Sequence, residues 1–179
     1  MKPFVLSLSI AVMLFSFAVT NAQQTPASAG KVLKDACTQA GKSKKKVFLI
    51  FHASWCGWCH KMDTAMNDVS CRKAFNDNYV ICHITVSEAK DKKALENPGG
   101  EAMLQQYHGG QSGIPYWLVF DASGTLLADS RASIDGGKPE NVGCPSKKEE
   151  VDYFISVLKK TSHMNATELQ AVRTRFTGI

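Results

Sequence analysis

Beyond residue 22 the chain holds no apolar run long enough to cross a membrane, so nothing after that point supplies an anchor. It has little excess charge: a formal +5, with lysines gathered at Lys42 to Lys46 and Lys147 to Lys148 beside polar or acidic neighbours. No aromatic residues interleave with these lysines, so they read as solvated surface and no nucleic-acid partner is expected. The sequence has neither a second C-x-x-C nor any C-x-x-H, and a structural zinc site would lack half of its four ligands. Internal repeats and low-complexity tracts are missing as well, which excludes solenoids and biased linker segments.

What is present begins with Lys2, an uncharged apolar run from Phe4 to Val19, and Thr20-Asn21-Ala22 ahead of a polar stretch. This is the pattern of a secretory signal peptide over residues 1–22, cleaved after Ala22. A membrane anchor is the alternative, but the run is shorter than the ~20 residues a spanning helix needs and has no basic stop-transfer flank. No cysteine stands at the cleavage point to take a lipid. The expected product is one exported domain, periplasmic or secreted, over residues 23–179. All six cysteines, 37, 56, 59, 71, 82 and 144, survive this processing. They would meet an oxidising compartment in which disulfides persist.

Helical spacing of Ala29, Val32, Leu33, Ala36, Cys37 and Ala40 predicts an amphipathic helix over about 28–40, ended by Gly41. The continuous apolar run Val47 to Phe51 suits a strand buried on both faces. A helix follows from Gly57 to about Asn67, then a short one capped by Ser70 through Phe75, then a β-branched strand from Tyr79 to Val86. That makes a βαβ unit. Asn97-Pro98 opens a helix ending near Tyr107, and Tyr116–Phe120 and Thr125–Ala128 pair as a hairpin across Asp121 to Gly124. Residues 129–146 are expected as loop. Ser146 caps a helix to about Lys160, and Asn165 with Glu168 three positions on marks a last capped helix.

The motif "SWCGWCH", residues 54–60, can be read two ways. Cys56-Gly57-Trp58-Cys59 has the spacing of a pair that cycles between dithiol and disulfide, while His60 completes a C-x-x-C-H attachment signature for a c-type haem. Read with its strand as "FLIFHASWCGWCHKM", and with the later "GIPYWLVFDASGTLL", the chain resembles the thioredoxin family, in particular the exported group whose motif is W-C-G-W-C. The resemblance covers about residues 30–160. A covalent haem would leave the buried strand, Trp55 and the Ile-Pro strand as coincidences.

The resemblance implies a thioredoxin fold, a central mixed sheet flanked by helices, here with an N-terminal signal peptide and an extra C-terminal helix. It implies thiol-disulfide exchange with protein substrates bearing disulfides or dithiols, by an enzyme with no cofactor and no metal, expected to act as a monomer. Cys56 would be the nucleophile and Cys59 the resolving cysteine, with Trp55, Gly57, Trp58, Ile114 and Pro115 as the substrate-binding surface and Pro115 in a cis-proline loop. Gly57-Trp58 and the hydrophobic Ile114 resemble reductase-like members, so electrons are expected to flow outward, from a membrane or secreted redox partner. A non-catalytic binding module or chaperone with a static disulfide is the competing class.

One departure stands out. Thioredoxin places a buried carboxylate six residues before its first cysteine, where this chain has Ile50. The base assisting Cys59 is then His52, an acid from elsewhere, or water. Of the remaining cysteines, Cys82 and Cys37 are expected as buried inert thiols, and Cys71 and Cys144 as the more exposed pair. The methionines 62, 66, 103 and 164 are expected in the core, and His83, His108 and His163 as ordinary residues without a metal.

Overall fold

A computed structural model of the chain describes residues 25–134 and 136–179. The expected leader lies outside the described residues. Among these, no helix is long and apolar enough to cross a membrane.

The central strand β1 (Lys46–His52) carries five consecutive buried residues, because both of its faces are covered. On one side it pairs in parallel with β2 (Tyr79–Thr85); on the other it runs antiparallel to β3 (Tyr116–Phe120). β4 (Leu126–Asp129) closes the sheet, in the order β2-β1-β3-β4. A β1-to-β2 crossover between parallel neighbours needs helix, and α2 (Gly57–Met66) and α3 (Arg72–Asn78) supply it.

The period of two along the strands sorts side chains into two cores. Phe48, Ile50, Trp117 and Val119 face α2, α3, α5 (Lys148–Thr161) and α6 (Ala166–Thr177). Val47, Leu49, Phe51, Leu118 and Phe120 face α1 (Ala29–Ser43) and α4 (Gly100–Gln106). Phe48 anchors the first layer, with its ring centroid 5.5 Å from those of both Tyr79 and Trp117. Such aromatic pairs contribute ~0.5–1.5 kcal/mol each beyond the area they bury.

The thioredoxin fold, mixed sheet and C-terminal helix expected from the sequence are all present. Several helix ends differ from that expectation. α1 runs past Gly41, which sits in the helix against the Ala122 methyl, and stops only where Lys44 turns left-handed at φ 57° and returns its N–H to Ala40. The Ser70 hydroxyl donates to Asp68, leaving Cys71 at the start of α3 without a side-chain cap. Asn97 accepts from the Thr85 amide at 2.6 Å and donates to the Ala27 carbonyl at 2.7 Å, so α4 waits until Gly100. The Ser146 amide donates to Glu150, and α5 begins after Lys147. Within the expected loop, β5 (Arg131–Ala132) and β6 (Glu140–Asn141) form a small antiparallel ribbon.

Candidate active site

β1 ends at His52, and after three intervening residues the chain enters α2 with Cys56 as its N-cap. The Cys59 amide donates to Cys56 Sγ at 3.1 Å, and the two cysteines are joined as a disulfide. A sulfur at this place faces unpaired helix N–H groups, which favour negative charge once the bond is reduced. Both cysteines are buried, with Ala53 beneath them and Ile114 packed against them. The Ile114–Pro115 bond is cis, and the Ile114 carbonyl oxygen lies 3.6 Å from Cys56 Sγ.

The two tryptophans are exposed around this buried pair, Trp55 at 59% and Trp58 at 48%. Trp55 is held by its indole N–H, which donates to the Ser87 carbonyl at 2.8 Å, leaving its ring face in solvent. Trp58 lines a groove of about 330 Å³ together with Ile114, Pro115 and residues 141–144. Trp58, Ile114 and Pro115 thus share one groove, Trp55 is exposed immediately before Cys56, and Gly57 begins the helix itself.

The basic neighbours of the motif are engaged elsewhere. Lys61 Nζ sits 4.2 Å from the centroid of the Trp58 ring, and the His60 ring meets the Ser54 carbonyl at 2.9 Å. The feature that faces Cys56 Sγ is thus the N-terminus of α2, with the Cys59 amide donating to it.

Ile50 is buried in the layer beneath α2. His52, on the same face of β1, is half-buried, with Nε2 3.2 Å from Thr85 Oγ1. Its ring lies 4.8 Å from that of His83, which in turn meets Asp63 of α2 at 2.9 Å. Burial is the main cause that lowers the His52 pKa, reinforced by His83 and His60 and opposed by Asp63 and Glu88. His83, expected as an ordinary surface or satisfied residue, is satisfied by Asp63.

Glu88 was not singled out by the sequence. It is 4% exposed and accepts both the amide and the hydroxyl of Ser54, at 2.6 and 2.8 Å, which fixes the turn leading into Trp55 and Cys56. Its only sequence signal is position: an acid just beyond the end of β2, beside the loop that follows parallel β1.

The free thiols reverse the expected order. Cys71 and Cys144 are buried, while Cys37 and Cys82 are half-buried, and the structure joins none of the four in a disulfide. Burial raises the pKa of each, to about 12 for Cys82 and Cys144. Met62, Met66 and Met164 are core residues as expected, and Trp117 is fully buried. Among the described residues no group of three or more His, Cys, Asp or Glu could hold a metal ion.

No curated protein matches the chain. Among solved structures, a disulphide isomerase from Xylella fastidiosa Temecula1 is 19% identical, with TM-score 0.50, over 90% of this chain and 98% of that one. The oxidised C-terminal domain of DsbD from Neisseria meningitidis is 22% identical, with TM-score 0.46, over 76% and 98%. The exposed lipoprotein thioredoxin of Streptococcus pneumoniae is 18% identical, with TM-score 0.42, over 72% and 89%. The model of the thioredoxin-like domain matches residues 33–139, which take in the C-x-x-C helix, the sheet and the Ile114–Pro115 loop. With that match over more than half its length, the chain belongs to the thioredoxin-like domain family.

Proposed function

We propose that this protein is an exported thiol-disulfide oxidoreductase that reduces disulfides in protein substrates, with Cys56 as nucleophile and Cys59 as resolving cysteine. The observation that carries it is Cys56 Sγ at the N-cap of α2, accepting the Cys59 amide at 3.1 Å. In the reduced protein, the Cys56 thiolate attacks one sulfur of a substrate disulfide, and the other leaves as a thiolate. Cys59, one helical turn away, loses its proton and attacks Cys56 Sγ, releasing the second substrate thiolate. Two electrons have passed, and the protein is left as the Cys56–Cys59 disulfide.

The exposed rings of Trp55 and Trp58 and the Ile114–Pro115 loop form the docking surface, with the Ile114 backbone pairing to an extended substrate. Gly57-Trp58 and Ile114 support the reducing direction. A membrane or secreted dithiol partner then re-reduces the pair. The leader-like residues 1–22 support export. Family potentials run from about −270 mV to about −120 mV, a span of roughly 7 kcal/mol for two electrons.

The test is insulin reduction driven by a dithiol, together with the reduction potential in defined thiol buffers. Cys56→Ser is expected to abolish turnover, and Cys59→Ser to accumulate a mixed disulfide visible by mass. A potential near the reductant end supports the proposed direction, and one near the oxidant end reverses it. Absence of turnover in the unmutated protein would leave a binding module with a static disulfide.

A further inference from the structure

Asn141 has no part in the C-x-x-C motif and lies beyond the residues that carry the family match, yet it makes the densest set of polar contacts to the docking loop. It sits at the end of β6, where the β5–β6 ribbon pairs it with Arg131 and lays it against residues 112–115. Its Nδ2 is 3.1 Å from the Ser112 carbonyl, 3.1 Å from that of Gly113 and 3.0 Å from that of Pro115. Its Oδ1 accepts the Gly143 amide at 3.0 Å, which fixes which end of the carboxamide points at the loop. Gly143 is itself held, since its carbonyl accepts the buried Trp117 indole N–H at 2.9 Å.

A carboxamide carries two N–H donors, and here three backbone oxygens converge on them. The three carbonyls flank Ile114 on both sides. The loop can therefore move relative to Cys56 only by breaking bonds to Asn141. We infer that Asn141 is a positioning residue: it holds Ile114 at a fixed distance from Cys56 and so presents the Ile114 backbone to an extended protein substrate. This deepens the exchange function proposed above and rests on it. Small disulfides and dithiols, which need no backbone pairing, do not depend on the contact.

The experiment compares the purified protein with Asn141→Ala and Asn141→Asp. Three readouts are taken: insulin KM and kcat, the rate at which dithiothreitol reduces the oxidised protein, and hydrogen exchange at the loop amides of Ser112 and Ile114. For Asn141→Ala, KM for insulin is expected to rise about tenfold, corresponding to roughly 1.4 kcal/mol, the size of a net hydrogen-bond loss. The dithiothreitol rate should stay within about twofold of the parent, since a group without backbone pairing is reacting. Loop exchange should quicken. Asn141→Asp keeps the shape and the Gly143 contact but turns an acceptor toward three acceptors. Its KM should exceed that of the alanine variant, and the excess should shrink as acid returns a donating proton.

Three results would overturn the inference: an aspartate variant with the parent's KM, a loss of dithiothreitol reactivity in parallel with insulin turnover, or unchanged loop exchange in both variants. If the unmutated protein reduces no insulin, the exchange function fails while the loop-exchange comparison still decides whether Asn141 holds the loop.

Discussion

His52 replaces a carboxylate's usual neighbourhood with an imidazole that resists protonation. It faces Thr85 and His83 across the sheet, Asp63 and His60 from α2, and Glu88 from the loop after β2. Burial and the two other imidazoles outweigh the two acids, so its folded pKa falls below the ordinary 6.5. The unfolded chain then binds more protons between the two values, and stability rises with pH across that window. The contribution is complete above the ordinary histidine range and is lost as pH falls through the folded value. Urea midpoints at about pH 7.5 and about pH 5 should therefore drop further for the parent than for His52→Asn. Equal drops would remove His52 from the acid response. At this scale the sequence showed Cys56, Cys59, Trp55, Trp58 and Pro115, because each belongs to a contiguous motif. Glu88, His83 with Asp63, and Asn141 gain their roles from pairing across the fold, which no local spacing encodes.

The last helix shows the same division at the scale of an element. Asn165 and Glu168 spell a capping box, and the structure has both halves: the Asn165 side chain accepts the Glu168 amide at 3.0 Å and the Glu168 carboxylate accepts the Asn165 amide at 2.8 Å. The helix was legible from those two letters; its docking site was not. Val172 and Phe176 are fully buried, and Phe176 meets the Phe154 ring at 5.0 Å, against α5. Arg175 reaches Asp68 at 3.2 Å, beside the end of α2. Replacing Phe176 with alanine should cost ~3–5 kcal/mol in urea unfolding, whereas Asn165→Ala should cost only ~1 kcal/mol. If the two cost the same, α6 is a lightly held tail and contributes little to the layer beneath the active-site helix. The helix starts expected at Asn97, Ser70 and Ser146 went the other way: Asn97 is bonded across the fold to Thr85 and Ala27, the Ser70 hydroxyl turns back to Asp68, and the Ser146 amide donates to Glu150.

Across the whole molecule, the parallel pairing of β1 with β2 sends both strand ends to one edge of the sheet, where Ser54 meets Glu88 and Trp55 meets Ser87. The alternating burial of β1 and β3 fills two layers, so that edge stands on a core packed from both sides. The succession of helices and strands along the chain followed from patterning, whereas the order of strands across the sheet did not. The ribbon that brings Asn141 to the docking loop did not, because two-residue strands carry no periodicity.

The raised pKa values of the four remaining thiols also make the protein its own reporter. By exposure alone, the half-buried Cys37 and Cys82 should meet an alkylating reagent first, because Cys56 is only 3% exposed. By thiolate content the order inverts, since burial disfavours ionisation of all four and the α2 N-terminus favours it at Cys56. A brief iodoacetamide pulse on the reduced protein at about pH 7 should place its first label on Cys56, read by peptide mass. First labels on Cys37 or Cys82 would mean that access governs. With Cys56 first, the yield of that single label in a brief pulse reports the reduced fraction of the site, because the Cys56–Cys59 disulfide offers no thiolate to the reagent.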